Sequence, residues 1–187
     1  IKTTNIEPIA DNGTVTLGSS GDTFTVPSGV TVNMSNATQT GVGGDNTPSF
    51  YAKLSASQSI SSGSWTKINL NAEEWDTDNA FDTSNYKFTV PSGEGGKYFI
   101  GYSLATDSVI DDNERLLGKL YLNTNPVTPS TTGDRGTGSN VDLFLNFSTL
   151  MDLSAGDYLE LYAYQNEGAS QNILANYTRM WGNKLIG

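Results

Sequence analysis

The sequence predicts an all-β protein, and two features of its pattern indicate this fold class. About eight short segments after residue 48 alternate apolar and polar side chains with the period of two that half-buried strands require. Breaks containing Gly and Pro separate these segments, and no stretch shows the longer period of an amphipathic helix. Many short strands with such breaks are typical of an antiparallel sandwich or jelly roll.

The first 34 residues hold a weak internal repeat. Pairs of apolar side chains begin at Ile6, Val15, Phe24 and Val32, with Thr or Asn at most of the alternate positions. Two apolar side chains per strand bury too little surface to offset the entropy of ordering an isolated ribbon. We therefore predict that residues 1–34 are a β-repeat stalk or attachment segment built from several chains, the alternative being a β-meander lying on the main domain. Residues 35–47 lose this apolar content and are interpreted as a linker.

The main domain is predicted to begin at residue 48 and to end at residue 187. Its clearest strand, at residues 98–104, places Tyr98, Ile100, Tyr102 and Leu104 on one face. The other predicted strands lie at residues 50–54, 65–70, 86–90, 116–122, 141–147 and 158–164, with one or two more within residues 173–186. We interpret the acidic residues between the second and third of these strands as part of a solvated loop.

The composition excludes several classes of function. The net charge is −10, and the 10 basic residues are scattered along the chain, which argues against nucleic-acid binding. Because the chain has no Cys and no His, disulfides, Cys or His metal sites and Ser-His-Asp catalysis are excluded. No apolar run is long enough for a membrane span.

Five segments resemble the C1q-like family in the order in which that family carries them. They are PSFYAKLSAS at 48–57, FDTSNYKFTVPSGEGGKYFIGYSL at 81–104, LYLNTN at 120–125, LMDLSAGDYLELYAYQNEG at 150–168 and MWGNKLIG at 180–187. The resemblance implies a ten-stranded antiparallel jelly roll, close to the tumour necrosis factor fold, that assembles as a homotrimer. The collagen-like Gly-x-y stalk of many animal members is absent from this sequence.

The Thr-, Ser- and Gly-rich segment before residue 35 resembles segments that precede such domains in tailed-phage fibre and virion surface proteins. This resemblance implies a place on the virion surface, attachment to other virion proteins through the N-terminal segment, and contact of the head with a host-surface glycan or protein.

Two motifs that suggest an enzyme are better explained by turns. Gly95, Gly96 and Lys97 superficially look like a phosphate-binding loop, but Tyr98 and a strand follow where a hydroxyl and a helix are needed. Asp82, Thr83 and Ser84 match an aspartic-protease triplet, but that chemistry needs a second such carboxylate. We therefore predict no catalytic residues.

Two acidic segments are candidate sites. The first surrounds Trp75 and is predicted to be a solvated loop, against the alternatives of a glycosidase carboxylate pair or a Ca²⁺ site. Its acidic residues are Glu73, Glu74, Asp76, Asp78 and Asp82. The second is the better Ca²⁺ candidate because it offers several oxygens within one loop, and C1q-like trimers in some cases bind Ca²⁺ in loops near their axis. Its residues are Asp107, Asp111, Asp112, Asn113 and Glu114. No cofactor is required by the sequence.

Aromatic residues on two strands are predicted to form the trimer interface. Tyr158, Tyr162 and Tyr164 share one strand face, and Phe99 points away from Tyr98. Such residues contribute large apolar area with a polar tip, although the three tyrosines would also suit a sugar-stacking platform.

These observations lead to one principal hypothesis and two alternatives. The principal hypothesis is a non-enzymatic, trimeric virion surface or fibre protein whose jelly-roll head contacts the host surface. The first alternative is a secreted bacterial lectin-like module, and the second is a carboxylate-dependent glycan depolymerase.

Overall fold

A computed structural model describes residues 16, 18–33, 46–106, 114–128, 130–136 and 142–185 of the chain. The chain divides into two compact units, Ile1–Val42 and Gly43–Gly187. The predicted boundaries at residues 34 and 47 stay predictions.

The described residues of the first unit form turns and contain no strand. The backbone N–H of Asp22 donates to the Ser19 carbonyl at 3.0 Å, and that of Val30 donates to the Pro27 carbonyl at 3.3 Å. These two turns repeat after eight residues, and the large apolar side chains beside them are exposed. The β-repeat stalk stays a prediction.

The second unit is built from β-strands with one short 3₁₀ helix at Ala175–Tyr177. Its strands are β1 (Ser49–Lys53), β2 (Gln58–Ile60), β3 (Thr66–Lys67), β4 (Ala72–Asp76), β5 (Phe81–Asp82), β6 (Lys87–Thr89), β7 (Gly96–Ala105), β8 (Arg115–Leu122), β9 (Asn125–Pro126), β10 (Thr132–Arg135), β11 (Phe144–Leu153), β12 (Tyr158–Gln165), β13 (Gln171–Ile173) and β14 (Arg179–Lys184).

These strands form two main sheets and one hairpin-sized sheet. The five-stranded sheet has the order β11-β7-β14-β1-β4. The seven-stranded sheet has the order β10-β8-β12-β6-β5, with β3 beside β12 and β9 beside β8, while β13 pairs with β2. Every pairing between these strands is antiparallel, which confirms the predicted all-β antiparallel jelly roll. The described residues form fourteen strands rather than ten because several are pieces of two or three residues.

The core lies between the inner faces of the two main sheets. Tyr98, Ile100, Tyr102 and Leu104 of β7 are all buried, as their alternation predicted. Leu159, Leu161 and Ala163 of β12 line the opposite wall and are fully buried. The residues between these positions therefore project from the outer faces of the sheets.

A stacked aromatic pair joins the two sheets. The ring of Phe50 on β1 lies 4.3 Å from that of Phe88 on β6, at an angle of 14° between the ring planes. Both side chains are buried, and each such ring contributes more to stability than a smaller apolar residue because it removes a large area from water.

Two of the longer strands differ from the prediction. Residues 72–76, interpreted as part of an acidic loop, form the edge strand β4, because Trp75 pairs with Tyr51 across the β1–β4 ladder. A bulge in this ladder breaks the alternation that would have indicated a strand. Strand β11 continues to Leu153, well past residue 147. Because β11 is an edge strand, its inner side chains are only partly buried and its sequence alternates weakly, so the prediction ended the strand too early.

Candidate functional site

The outer surface of the five-stranded sheet carries a concentration of exposed apolar side chains. In the described part of the second unit, five large hydrophobic residues are exposed, and all of them lie on or over this surface. We call it the apolar face and define it by these residues: Trp75, Phe99, Phe144, Leu150 and Tyr177. Soluble proteins rarely leave such a set together in water, so this surface has the character of a contact site.

Cross-strand register brings residues of the apolar face together in pairs. On β7 and β11, Phe99 pairs with Leu150, and Ala105 pairs with Phe144. Tyr177 lies edge-on to Phe144 with 5.2 Å between ring centroids. Its carbonyl accepts a hydrogen bond of 2.7 Å from the Ser103 hydroxyl, which fixes the 3₁₀ helix over this end of the sheet.

A groove of about 580 Å³ crosses the apolar face. Its walls are mainly aromatic, and one cation, Arg179, lies among them. The Arg179 Nη1 donates to the Tyr51 hydroxyl at 2.6 Å, and Nη2 donates to the Asn176 carbonyl at 2.9 Å. The guanidinium is therefore held in place within this wall by two neutral acceptors. The aromatic residues of the groove are Tyr51, Trp75, Phe144, Tyr177 and Trp181.

The outer surface of the seven-stranded sheet has a different chemistry. Lys119 Nζ lies 4.0 Å from the centroid of the Trp65 ring, and Lys87 Nζ lies 4.6 Å from that of Tyr158. Both distances are within the range of cation–π attraction. Tyr121 and Tyr162 pack with their ring centroids 4.2 Å apart. We call this surface the lysine–tyrosine face; its residues are Trp65, Lys67, Lys87, Lys119, Tyr121, Tyr158, Glu160, Tyr162 and Tyr164.

One carboxylate on the lysine–tyrosine face is almost fully buried. Glu160 Oε1 forms an ion pair of 2.5 Å with Lys67 Nζ, which also donates to the Asn85 carbonyl at 2.6 Å. Burial, followed by the charge of Glu160, raises the pKa of the Tyr162 phenol. The phenol therefore stays protonated at neutral pH, as a hydrogen-bond donor must.

The structure separates the four residues predicted for the trimer interface. Phe99 belongs to the apolar face, whereas Tyr158, Tyr162 and Tyr164 project from the opposite side of the sandwich. A trimer contact that includes all four would need two different surfaces of each subunit, and the predicted interface stays a prediction. The sequence did not predict the other residues of the apolar face. The exposure of an outward side chain depends on whether side chains of neighbouring strands cover it, and the pattern of one strand does not contain this information.

Four of the five acidic residues near Trp75 have hydrogen-bond or ion-pair partners, whereas at Glu73 burial, followed by the charge of Asp76, raises the pKa of the carboxyl. Asp76 Oδ2 accepts from the Phe81 backbone N–H at 2.7 Å, Glu74 pairs with Lys53, and Asp82 accepts from Ser84 and Asn85. The Asn85 hydrogen bonds are the main reason why the pKa of Asp82 is lowered. In the described part of the chain, no group of three acidic residues is arranged to hold a metal ion.

Of the five residues predicted as a Ca²⁺ site, four (Asp107, Asp111, Asp112 and Asn113) lie outside the described residues. Glu114 is described, and its Oε2 is buried without a hydrogen-bond partner. Calcium binding stays a prediction.

The turn before β7 has the geometry of a strand connection. Gly93 adopts a φ of +85°, and Lys97 is already part of β7. The expected strand–turn–strand structure is therefore present at this position, and the helix that a phosphate-binding loop needs is not. None of the helices among the described residues has the length and hydropathy to cross a membrane.

Solved structures with the same fold come from two groups of proteins. The globular domain of zebrafish complement 1qA protein aligns with a TM-score of 0.57 at 16% identity, covering 74% of this chain and 97% of that one. The Eiger TNF structure from S. frugiperda aligns with a TM-score of 0.53 at 11% identity, covering 73% of this chain and 90% of that one. The fold is thus a C1q/TNF-like jelly roll.

The sequence comparisons add one bacterial relative. No family model matches the chain. The uncharacterized protein YqcC of Bacillus subtilis (strain 168) is 34% identical over 114 residues, which are 58% of this chain and 30% of that protein. The match therefore spans less than a third of the relative's length.

Proposed function

We propose that the chain forms a homotrimer through the apolar face and serves as a non-enzymatic binding head on the surface or fibre of a tailed-phage virion. The observation that carries the trimer is the location of all five exposed large hydrophobic residues of the described second unit on one sheet face. A second copy of the chain is the partner that fits, because the C1q-like resemblance of the sequence implies self-assembly and a symmetric assembly can cover this face in every subunit at once.

The lysine–tyrosine face supports this choice of interface. Its aromatic rings are half-buried against one another and against lysine side chains, so little apolar area remains for a subunit to cover. Covering the apolar face instead leaves the lysine–tyrosine face in contact with solvent and with ligands. A trimer then presents three copies of that surface, and multivalency converts weak individual contacts into useful avidity.

Binding rather than catalysis is supported by the partners of the acidic residues. Asp76 and Asp82 hold turns, Glu74 pairs with Lys53, and Glu160 pairs with Lys67. A glycosidase needs two carboxylates free to face one sugar bond, and these four have other partners.

Two matched substitutions test the interface. Leu150→Glu places a charge on the apolar face, where Leu150 is 67% exposed, and Leu117→Glu makes the same change on the outer surface of β8. We expect Leu150→Glu to reduce the solution mass from that of a trimer to that of a monomer, because a buried unpaired charge opposes association. Leu117→Glu should leave the trimer intact. Equal masses for the two variants would exclude the apolar face as the interface.

The second candidate setting is a secreted bacterial lectin-like module, and the relative, an uncharacterized bacterial protein, does not separate the two settings. The genes that adjoin the coding sequence separate the two settings. Capsid and tail genes are expected for the virion protein, and secretion genes without any virion genes would support the alternative.

A further inference from the structure

The lysine–tyrosine face is the most cationic surface of an acidic chain. Five of the ten basic residues project from the seven-stranded sheet or its edge strands, namely Lys67, Lys87, Arg115, Lys119 and Arg135. The chain as a whole has a net charge of −10. Such a local surplus attracts an anionic partner and raises the rate of encounter with it.

Lys87 and Lys119 belong to these cations and form no ion pair among the described residues. The ion pairs of the described residues join Lys53 to Glu74, Lys67 to Glu160 and Lys184 to Glu94. Lys119 and Lys87 instead lie over aromatic rings. Asp82 pairs in register with Lys87 across β5 and β6 but forms no ion pair with it. The Asp82 carboxylate accepts hydrogen bonds from Ser84 and Asn85. The hydrogen bonds from Asn85 are the main cause of the lowered pKa of Asp82, and the charge of Lys87 contributes least to it. The two ammonium groups are thus positioned by rings and remain open to an external anion.

Glu160 shows which anion this surface accommodates. Its carboxylate lies between Lys67 and the Tyr162 hydroxyl, at 2.5 and 3.5 Å respectively. A lysine beside a tyrosine is therefore already used on this face to hold a carboxylate. Two further lysines lie beside tyrosines without a carboxylate, each over the face of the ring: Lys119 is 5.9 Å from the Tyr121 centroid and Lys87 is 4.6 Å from the Tyr158 centroid.

The aromatic rings supply the second part of a recognition surface. Tyr121 and Tyr162 are adjacent, and Trp65 lies 5.6 Å from Tyr164, so rings run along β12 for about 20 Å at the rise of a β-strand. Each ring is half-buried and held by its neighbours, so little conformational entropy is lost when a ligand stacks on it. Rigid rings with a few placed polar groups are typical of a small-molecule or sugar site.

We infer that the lysine–tyrosine face binds a carboxylate-bearing polysaccharide, whose sugar rings stack on the aromatic side chains while its carboxylates pair with Lys119 and Lys87. The inference rests on the proposed function because it names the ligand class of the binding head.

Three soluble polymers test the ligand class by calorimetry on the full chain. Polygalacturonate supplies sugar rings and carboxylates, its fully methyl-esterified form supplies the rings alone, and polyglutamate supplies the carboxylates alone. We expect polygalacturonate to bind, with an affinity that falls as salt is raised, and the other two to bind at least tenfold more weakly. Equal binding of the esterified polymer or of polyglutamate would overturn the inference, as would a failure of polygalacturonate to bind.

A double variant locates the site. Lys119→Met with Lys87→Met keeps much of each side-chain stem and removes both charges. We expect it to weaken polygalacturonate binding at least tenfold, since two charge-assisted contacts with the polymer are lost. The control is Lys97→Met, which removes an exposed charge on the other sheet and should keep the wild-type affinity. Equal affinities for the double variant and the control would overturn the assignment.

The solution mass of each sample distinguishes a failure of this inference from a failure of the proposed trimer. A trimer that binds no polygalacturonate overturns the ligand class and leaves the proposed assembly standing. A monomer that binds it overturns the assembly and leaves the ligand class standing.

Discussion

Trp181 lies so close to Gly101 that a Cβ on Gly101 would stand 2.5 Å from two carbons of the indole ring. The two residues are register partners on β14 and β7, and Trp181 is part of the wall of the groove on the apolar face. The absence of a side chain at position 101 therefore lets the indole lie against the β7 backbone. This contact connects one glycine of the sequence to the shape of the proposed interface.

Gly101→Ala should destabilise the protein, because the added methyl group must displace the Trp181 ring. We expect the free energy of unfolding to fall by about 1–3 kcal/mol, the usual cost of overpacking, as measured by urea denaturation at fixed protein concentration. Ser148→Ala is the control, since Ser148 pairs with Gly101 from the β11 side and is exposed. A loss no greater than that of the control would mean that the indole moves aside freely.

Lys67→Met should destabilise the protein by leaving the Glu160 carboxylate buried without its cation. We expect a loss of about 2 kcal/mol, below the cost for a fully buried pair because the Lys67 side chain is 26% exposed. Lys53→Met breaks the exposed pair with Glu74 and should cost under about 1 kcal/mol. Adding Glu160→Gln to Lys67→Met should recover part of the loss. Similar losses for the two single variants would show that burial of Glu160 has no energetic consequence.

Stability should fall at alkaline pH because two core tyrosines resist ionisation in the folded state. Burial raises the pKa of Tyr98 to about 12 and that of Tyr102 further. In the unfolded chain both phenols ionise near pH 10, so the unfolded state binds fewer protons above that pH. Their stabilising contribution is therefore complete below pH 10 and is lost as the pH rises towards 12 and beyond.

Tyrosinate absorbance and denaturation between pH 9 and pH 12 measure this effect. The double variant Tyr98→Phe with Tyr102→Phe should lose stability less steeply over this range than the wild type. Its stability at neutral pH should be lower, because the phenols donate to the Glu94 and Ser130 carbonyls at 2.6 and 2.9 Å. An unchanged slope would show that neither phenol has a raised pKa.

The thermal midpoint should rise with protein concentration. Association that requires the folded state stabilises it by mass action, so a trimer is harder to melt when it is more concentrated. We expect this dependence for the wild type and for Leu117→Glu, and a midpoint independent of concentration for Leu150→Glu. A wild-type midpoint that stays constant over a hundredfold range of concentration would argue against any folding-linked assembly.

The strands that bury one face were predictable from the sequence, since Tyr98, Ile100, Tyr102 and Leu104 all point into the core. Edge strands were less predictable. Strand β4 contains acidic residues and a bulge, and β11 buries its inner side chains only partly, so neither alternates clearly. Their pairing depends on residues far away in the chain.

The two outer faces could not be told apart from the sequence. Phe99 and Tyr158 each occupy the outward positions of a strand, but the sheet to which a strand belongs is decided by its neighbours. Only the strand order shows that the exposed residues Trp75, Phe144 and Leu150 share a sheet face with Phe99. It also shows that the tyrosines gather around lysines on the other side of the sandwich.

The solution mass of the wild-type chain tests the central proposal most directly. Light scattering after size exclusion, at a concentration well above micromolar, should give three times the 20.0 kDa chain mass. That mass should fall towards one chain in Leu150→Glu and persist in Leu117→Glu. A wild-type mass of a single chain under these conditions would contradict the trimer and would leave the apolar face to a different partner.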